Sequence, residues 1–284
     1  MWIKGCLHLH TTCSDGELTP TRIYDSYKDK GYDFIAITDH NVITNTDKKP
    51  EKNFLVIENS IEFHLTGSYL HVLGINLKSD KIEKFKDHQQ IIDFILKNDG
   101  IAIIAHPNWM WVPKFNEISR LKNFHGIEIF NSAVKEPPIN AYAGSSFALE
   151  KWDYLLSQGY KIWGFAADDL HMPKEHLIFN GWIMVNVKTL TKKDIVDSIK
   201  KGNFYCSTGV MLKDCYRDKN SYYVNSDNGE EVVFIGENGK IIKVIDGKKG
   251  KIEINKKYKY IRCEVRSTEG IAYTQPVFGD SGEI

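Results

Sequence analysis

Cys6-Leu7-His8-Leu9-His10-Thr11-Thr12-Cys13-Ser14-Asp15-Gly16 closes the first apolar run of this 284-residue chain, and its reading governs the rest. Side chains alternate faces along a strand, so His8 and His10 point one way while Leu7 and Leu9 point the other, into packing. Asp15 follows in a short turn that ends at Gly16, close enough to share a site with both imidazoles. A lone His-x-His pair is common on surfaces. Its meaning depends on what ends the other strands.

Over the first two thirds, apolar strand-like runs alternate with helix-like runs. Thr19-Pro20 opens a helix with a capping hydroxyl and a proline at the first helical position, and Gly31 stops it. Phe34 to Ile37 reads as a strand ending at Asp39-His40. Phe54 to Phe63 and Tyr69 to Ile75 read as strands around Thr66-Gly67-Ser68. Ile82 to Lys97 has helical apolar spacing, and Ile101 to Ala105 is a short buried strand leading to His106-Pro107. Gly126 to Phe130 ends at Asn131. Ser146 to Ser157 is a helix, Ile162 to Ala166 delivers Asp168-Asp169-Leu170-His171, and Thr191 to Asp194 forms a capping box.

This alternation predicts a parallel α/β architecture, and the number of units favours a barrel over an open sheet. After Gly209 the texture changes to short alternating segments with hairpin signals at Asn228-Gly229, Asn238-Gly239 and Asp246-Gly247. Residues 1–209 therefore read as a barrel domain and 210–284 as a small all-β appendage.

Metal-capable side chains recur where strands end: His8, His10, His40, Glu62, His106, Asp169 and His171, with His71 opening a strand. In a parallel barrel such ends converge on one face. One coincidence means little; six together define a candidate site.

These motifs, His8-Leu9-His10 with Asp15, Thr38-Asp39-His40, Glu62, His71, His106-Pro107 and Asp169-Leu170-His171, resemble the polymerase and histidinol phosphatase (PHP) superfamily of metallophosphoesterases, in family order across residues 1–209. The resemblance implies a distorted (β/α)7 barrel holding two or three divalent ions. It implies His8, His10, Glu62 and Asp169 on a first ion, and Asp15, His40 and His171 on a second. Glu62, His71 and His106 would hold a third, with Glu62 bridging. Imidazole and carboxylate ligands without thiolate suit Zn²⁺, Mn²⁺ or Fe²⁺. The expected activity is hydrolysis of a small phosphorylated metabolite, a nucleotide or sugar-type phosphomonoester, by a metal-bound hydroxide. The sequence does not point to a general acid. The alternatives are hydrolysis of a non-phosphate ester, amide or carbamate, or a non-catalytic module.

Charge bears on the partner. Lys+Arg and Asp+Glu are both 37, which argues against a long nucleic acid. Metals change the count locally, leaving an excess of about +3 with three ions and about +1 with two, favourable to a small anionic phosphoester. The five cysteines are scattered without a Cys-x-x-Cys pair, so neither a disulfide framework nor a zinc finger is expected. No leader pattern and no apolar run near ~18 residues is present, which reads as cytoplasmic without a membrane partner; oligomeric state is open.

Three features are candidates for substrate contact: Trp109, within Trp109-Met110-Trp111; Asn131, at a strand end; and Arg22, in the first turn of a helix. Asp39 and Asp168 read as orienting or capping carboxylates. His64, His88, His125 and His176 lie outside the motifs and read as surface or structural.

Overall fold

The computed structural model describes residues 1–48, 51–110, 115–135, 144–255 and 257–279. Trp111 lies outside them. In the α/β part the order is β1 (Trp2–Cys6), α1 (Pro20–Asp29), β2 (Phe34–Ile35), β3 (Leu55–Val56), β4 (Ile61–His64), β5 (His71–Ile75), α2 (His88–Lys97), β6 (Ile101–Ala105), α3 (Phe115–Ile118), β7 (Gly126–Asn131), α4 (Leu149–Ser157), β8 (Trp163–Ala167), β9 (Trp182–Asn186) and α5 (Lys192–Lys200). Strands follow thereafter: β10 (Phe204–Ser207), β11 (Leu212–Arg217), β12 (Ser221–Ser226), β13 (Glu231–Gly236), β14 (Lys240–Asp246), β15 (Lys249–Glu253), β16 (Tyr260–Ser267), β17 (Gly270–Thr274) and β18 (Val277–Phe278).

The helices form where their caps say. Thr19 accepts the Arg22 amide at the head of α1, and Thr191 accepts that of Asp194 at the head of α5. The helix expected from Ile82 is shorter, because Asp87 caps it by accepting the Gln90 amide and α2 begins at His88. The run expected as one strand from Phe54 to Phe63 is broken at Asn59, whose φ of 52° lies in the left-handed region. The break sends β3 and β4 into different sheets.

The protein is mixed α/β and rich in sheet, with five α-helices among the described residues. Among the strand ladders, parallel pairing is confined to β1-β2-β3 and β6-β7-β8. The expectation of a parallel barrel yields to antiparallel pairs elsewhere, for a physical reason. Only a tight turn at Ser68–Leu65 joins β4 to β5, and a parallel pair would need a crossover of a dozen or more residues. One sheet of ten strands runs β14-β13-β16-β17-β10-β9-β1-β2-β3, with β18 on β16. A second runs β4-β5-β6-β7-β8, and a third β11-β12-β15. The first two meet at single bridges, Leu9 with Leu170 and His40 with Glu62, where a closed barrel would have ladders.

Of the three hairpin signals, Asn238-Gly239 turns β13 into its antiparallel partner β14. The other two pass the chain between sheets: β12 and β15 pair with each other, while β13 and β14 belong to the ten-stranded sheet. Asn228 serves a different role, accepting the Met211 amide at 2.8 Å.

The C-terminal strands dock on α4 through charge. Asp153, on α4, accepts Arg262 Nε and Nη2, each at 2.7 Å, and the Tyr260 hydroxyl at 2.8 Å. Arg262 Nη1 also donates to Glu264 at 2.8 Å, and all three charged groups are buried. Removing one partner of such a group leaves an uncompensated buried charge. Asp153→Ala is expected to cost about 3–5 kcal/mol of stability, read as a lowered denaturation midpoint; an unchanged midpoint would contradict this account of the docking.

Candidate metal centre

His8 and His10 follow β1 in an extended segment whose backbone is held on both sides. The Leu9 amide donates to Thr38 Oγ1 (3.1 Å), the His10 amide to Leu170 O (3.0 Å), and the Asp169 amide to His8 O (3.0 Å). Leu7 and Leu9 are buried as expected, but in two different apolar clusters. Gly16 lets the Asp15 turn lie on this segment, since a Cβ there would sit 2.4 Å from His10 O. From β4 comes Glu62, fully buried; the Asn41 amide donates to Glu62 O (2.9 Å), which places His40 beside it. His71 is paired in register with Ala105, so His106 emerges next to it.

The nine candidate ligands converge. His8 Nε2 and His10 Nε2 are 3.1 Å apart. Each lies 3.1 Å from Asp169 Oδ1, and they lie 3.2 and 3.0 Å from Glu62 Oε2. Around this buried group sits a more open one. Asp15 lies 3.6 Å from His10 Nδ1, 3.5 Å from His40 Nε2 and 3.4 Å from His171 Nε2. On the far side, Glu62 Oε1 is 2.9 Å from His71 Nδ1 and 3.0 Å from His106 Nε2.

The geometry of the first group fits a cation. Glu62 Oε2 has three imidazole nitrogens within 3.0–3.2 Å, yet it makes no hydrogen bond, and neither does Asp169 Oδ1. Five of the six separations among the four atoms are 3.0–3.2 Å. A tetrahedron of that edge has its centre about 1.9 Å from each corner, close to the ~2.0–2.2 Å that nitrogen and oxygen ligands keep from zinc. Two buried carboxylate oxygens that make no hydrogen bond, packed this closely with two imidazole nitrogens, fit a positive centre between them.

Electrostatics point the same way. Burial disfavours charge on Glu62 and Asp169, but the surrounding imidazoles outweigh it and hold both carboxyl groups well below their usual range. Burial likewise opposes protonation of His8 and His10, yet the carboxylates prevail, lifting His8 well above its ordinary value and His10 to about 9. His40 is pushed down to about 4 by burial. His106 and Asp169 have φ of 25° and 52°, a conformation that L-residues other than glycine seldom adopt, and both belong to this cluster.

A carboxylate absent from the expected set organises it. Glu128, buried in β7, accepts His8 Nδ1–H at 2.8 Å, which turns the Nε2 lone pair toward the cluster. Its other oxygen accepts the His106 amide and Asn131 Nδ2, both at 2.8 Å. The one signal in the sequence was an acidic residue inside the apolar run Gly126-Ile127-Glu128-Ile129-Phe130. Asn131, expected as a substrate contact, donates also to Asp169 Oδ2 (3.1 Å) and so braces a candidate ligand. Asp39 accepts Thr11 and Ser14, fixing the loop that carries Asp15. Asp168 accepts the Tyr27 hydroxyl and the amides of Phe179, Asn180 and Gly181. Trp109 lies against His71 and His106 and lines a cavity of about 390 Å³ over the cluster. Arg22 is exposed on α1 and is not among the residues that line the cavity. His88 and His125 have structural partners, Leu70 O and the Ala102 amide, while His64 is exposed beside His71.

No family model matches the chain. An uncharacterized protein of Methanocaldococcus jannaschii is 29% identical over 154 residues, which cover 50% of this chain and 89% of that protein. A two-domain protein from Bacteroides vulgatus containing a predicted PHP-like metal-dependent phosphoesterase superposes with a TM-score of 0.57 at 15% identity. The match covers 98% of this chain and 95% of that one. The resemblance to the PHP superfamily thus holds at the level of the fold. Endonuclease Q bound to a 27-mer duplex with an abasic lesion has a TM-score of 0.48 at 15% identity, covering 77% and 65% of the two chains. The expectation of no long nucleic-acid partner, drawn from formal charge alone, does not stand. The reasoning failed because whole-chain neutrality does not report the local field of a groove. No helix among the described residues is long and apolar enough to cross a membrane.

Glu128→Gln keeps the shape of the carboxylate but not its charge. It is expected to weaken divalent-metal affinity by roughly 10–100-fold in a metal titration, with the fold retained by circular dichroism. Unchanged affinity would show that Glu128 does not act on His8.

Proposed function

We propose that this protein is a metal-dependent phosphoesterase, a hydrolase of phosphate esters. The observation that carries the reading is the convergence of two buried imidazoles on two buried carboxylates whose facing oxygens make no hydrogen bond, Glu62 and Asp169 also lining one cavity. In this reading His8, His10, Glu62 and Asp169 hold one ion, and Asp15, His40 and His171 a second, a group that His10 also adjoins. Glu62, His71 and His106 hold a third, Glu62 being shared, and His40 lies within the same group. Zn²⁺, Mn²⁺ and Fe²⁺ all suit this donor set. Bound divalent ions supply the positive charge that stabilises a phosphoryl group under in-line attack and acidify water.

The protein's own residues do the rest. The inner four are dry and fixed, which holds charge in place without reorganisation. Asp15, His40 and His171 are partly exposed and face the cavity, so the ester enters on their side. Glu128 and Asn131 keep His8 and Asp169 oriented, and Asp39 keeps the Asp15 loop closed over them. The nucleotide or sugar phosphomonoester expected from the sequence is tested beside a phosphodiester in DNA. We likewise keep the division of the chain at 209/210 as a proposal.

Purified protein is expected to contain divalent metal, to lose phosphate release on exhaustive chelation, and to regain it with Mn²⁺ or Zn²⁺. His40→Ala removes a direct ligand and is expected to lower kcat/KM by roughly a hundredfold or more, since even outer partners cost ~10–100-fold. A metal-free protein with no rescue, across phosphomonoesters and abasic-site DNA alike, overturns the reading.

A further inference from the structure

The cavity over the cluster is divided by chemistry. Its floor is made of Asp15, His40, Glu62, His71, His106, Asp169 and His171. Every other described residue that lines it is apolar or aromatic: Trp109, Met110, Ala133, Val134, Met172 and Leu177. These come from three separate connections, after β6, after β7 and after β8, so the apolar wall is assembled and not the accident of one loop. Val134 and Leu177 are buried, and Trp109 stands edge-on to His106 at 5.1 Å and to Tyr69 at 5.7 Å. All the cavity's carboxylates and imidazoles belong to the cluster, and the ring nitrogens His71 Nε2 and His106 Nδ1, which make no hydrogen bond, are buried. Among the described lining residues the wall offers a sugar no hydroxyl, amide or charged side chain, the Trp109 indole N–H being the one N–H or O–H donor of its side chains.

From this we infer that the site prefers a phosphoester whose alcohol portion is apolar, an aryl-alkyl or branched alkyl group, over one carrying a sugar. The inference rests on the phosphoesterase reading above and names the leaving group that it takes. The phosphoryl group meets the polar floor, and the alcohol portion lies against Trp109, Met172, Val134 and Leu177. Two methionines and a tryptophan make a polarizable surface that adapts to an irregular apolar group. A volume of about 390 Å³ is at the small end of ligand sites, enough for a ring and a phosphoryl group. Sugar hydroxyls pressed against such a wall lose water and find no partner. Hydrolysis is balanced by water alone: the P–O bond to the alcohol breaks, a P–O bond to water forms, and the proton of water ends on the alcohol.

The test compares esters of primary alcohols, so that leaving-group reactivity is matched. On metal-loaded protein, kcat/KM for benzyl phosphate is expected to exceed that for ribose 5-phosphate by about 100-fold, the scale on which an apolar pocket rejects a hydroxyl. Met172→Gln and Val134→Thr are expected to narrow that ratio by about tenfold at unchanged metal content. Binding gives a second readout: benzylphosphonate is expected to bind the metal-loaded protein at least ~10-fold more tightly than methylphosphonate, and Met172→Gln to erase the difference. Equal turnover of benzyl phosphate and ribose 5-phosphate, faster cleavage of a 5′-phosphorylated oligonucleotide, or variants that leave the ratio unmoved overturn the inference while the phosphoesterase reading stands. If no ester is cleaved but benzylphosphonate still binds preferentially, the apolar wall holds and the phosphoesterase reading falls. If neither cleavage nor preferential binding occurs, both fall.

Discussion

Glu62 is the group on which the architecture turns. A fully buried carboxylate is tolerated only when its charge is compensated, and here five imidazoles from four separate places in the chain supply the compensation. The same residue forms one of the two single bridges between the ten-stranded and five-stranded sheets, the other being Leu9 with Leu170 beside the first histidines. Sheet closure and ligand convergence are therefore one event. The backbone bonds that join the sheets at this end hold the chain on either side of His10, Glu62 and Asp169, and a cation among these side chains would tie both sheets together.

Around Glu62 the structure repeats one device. A buried acid outside the proposed ligand set accepts backbone, hydroxyl or imidazole donors from a segment that carries a ligand or lies near one. Glu128 does so for His8 and His106, Asp39 for the Thr11–Ser14 loop, and Asp168 for the Phe179–Gly181 segment that follows His171. Each acid sits on or just after a strand, where the backbone is rigid, and each reaches into a loop, where it is not. Preorganisation of this kind is what lets polar groups act without rearranging during reaction. The left-handed φ of His106 fits the pattern: its amide is held by Glu128, and Lys151 donates to the carbonyl of the next residue, Pro107.

Much of this was legible because strand ends are marked by local chemistry. Apolar runs broken by His or Asp announced β1, β5, β6 and β8, and the caps Thr19 and Thr191 announced α1 and α5. What was not legible depends on pairing between distant segments. Nothing local in Phe54 to Phe63 says that Asn59 will turn left-handed and divide the run between sheets. Nothing local in Asn228-Gly229 or Asp246-Gly247 distinguishes a hairpin from a change of sheet. Glu128 and Asn131 were hidden differently, since a single acid in an apolar strand and an asparagine at its end acquire meaning only when His8 and Asp169 arrive from elsewhere.

The charge count failed for a related reason, and the failure is instructive about where selectivity resides. Net charge sums lysines on the surface with carboxylates that are buried, yet a ligand in the cavity feels only the groups that face it. Those groups separate into a floor of carboxylates and imidazoles that belong to the cluster and, among the described lining residues, a wall whose side chains are apolar or aromatic. A phosphoryl group is matched by the floor whatever molecule carries it. Discrimination must then come from the wall, because the interactions that bind the phosphoryl group are common to every candidate ester and cancel when two esters are compared. In the proposed reading the identity of the ester is thus decided by Trp109, Met110, Val134, Met172 and Leu177, which carry none of the metal-site motif, and the histidines decide only that an ester is bound at all.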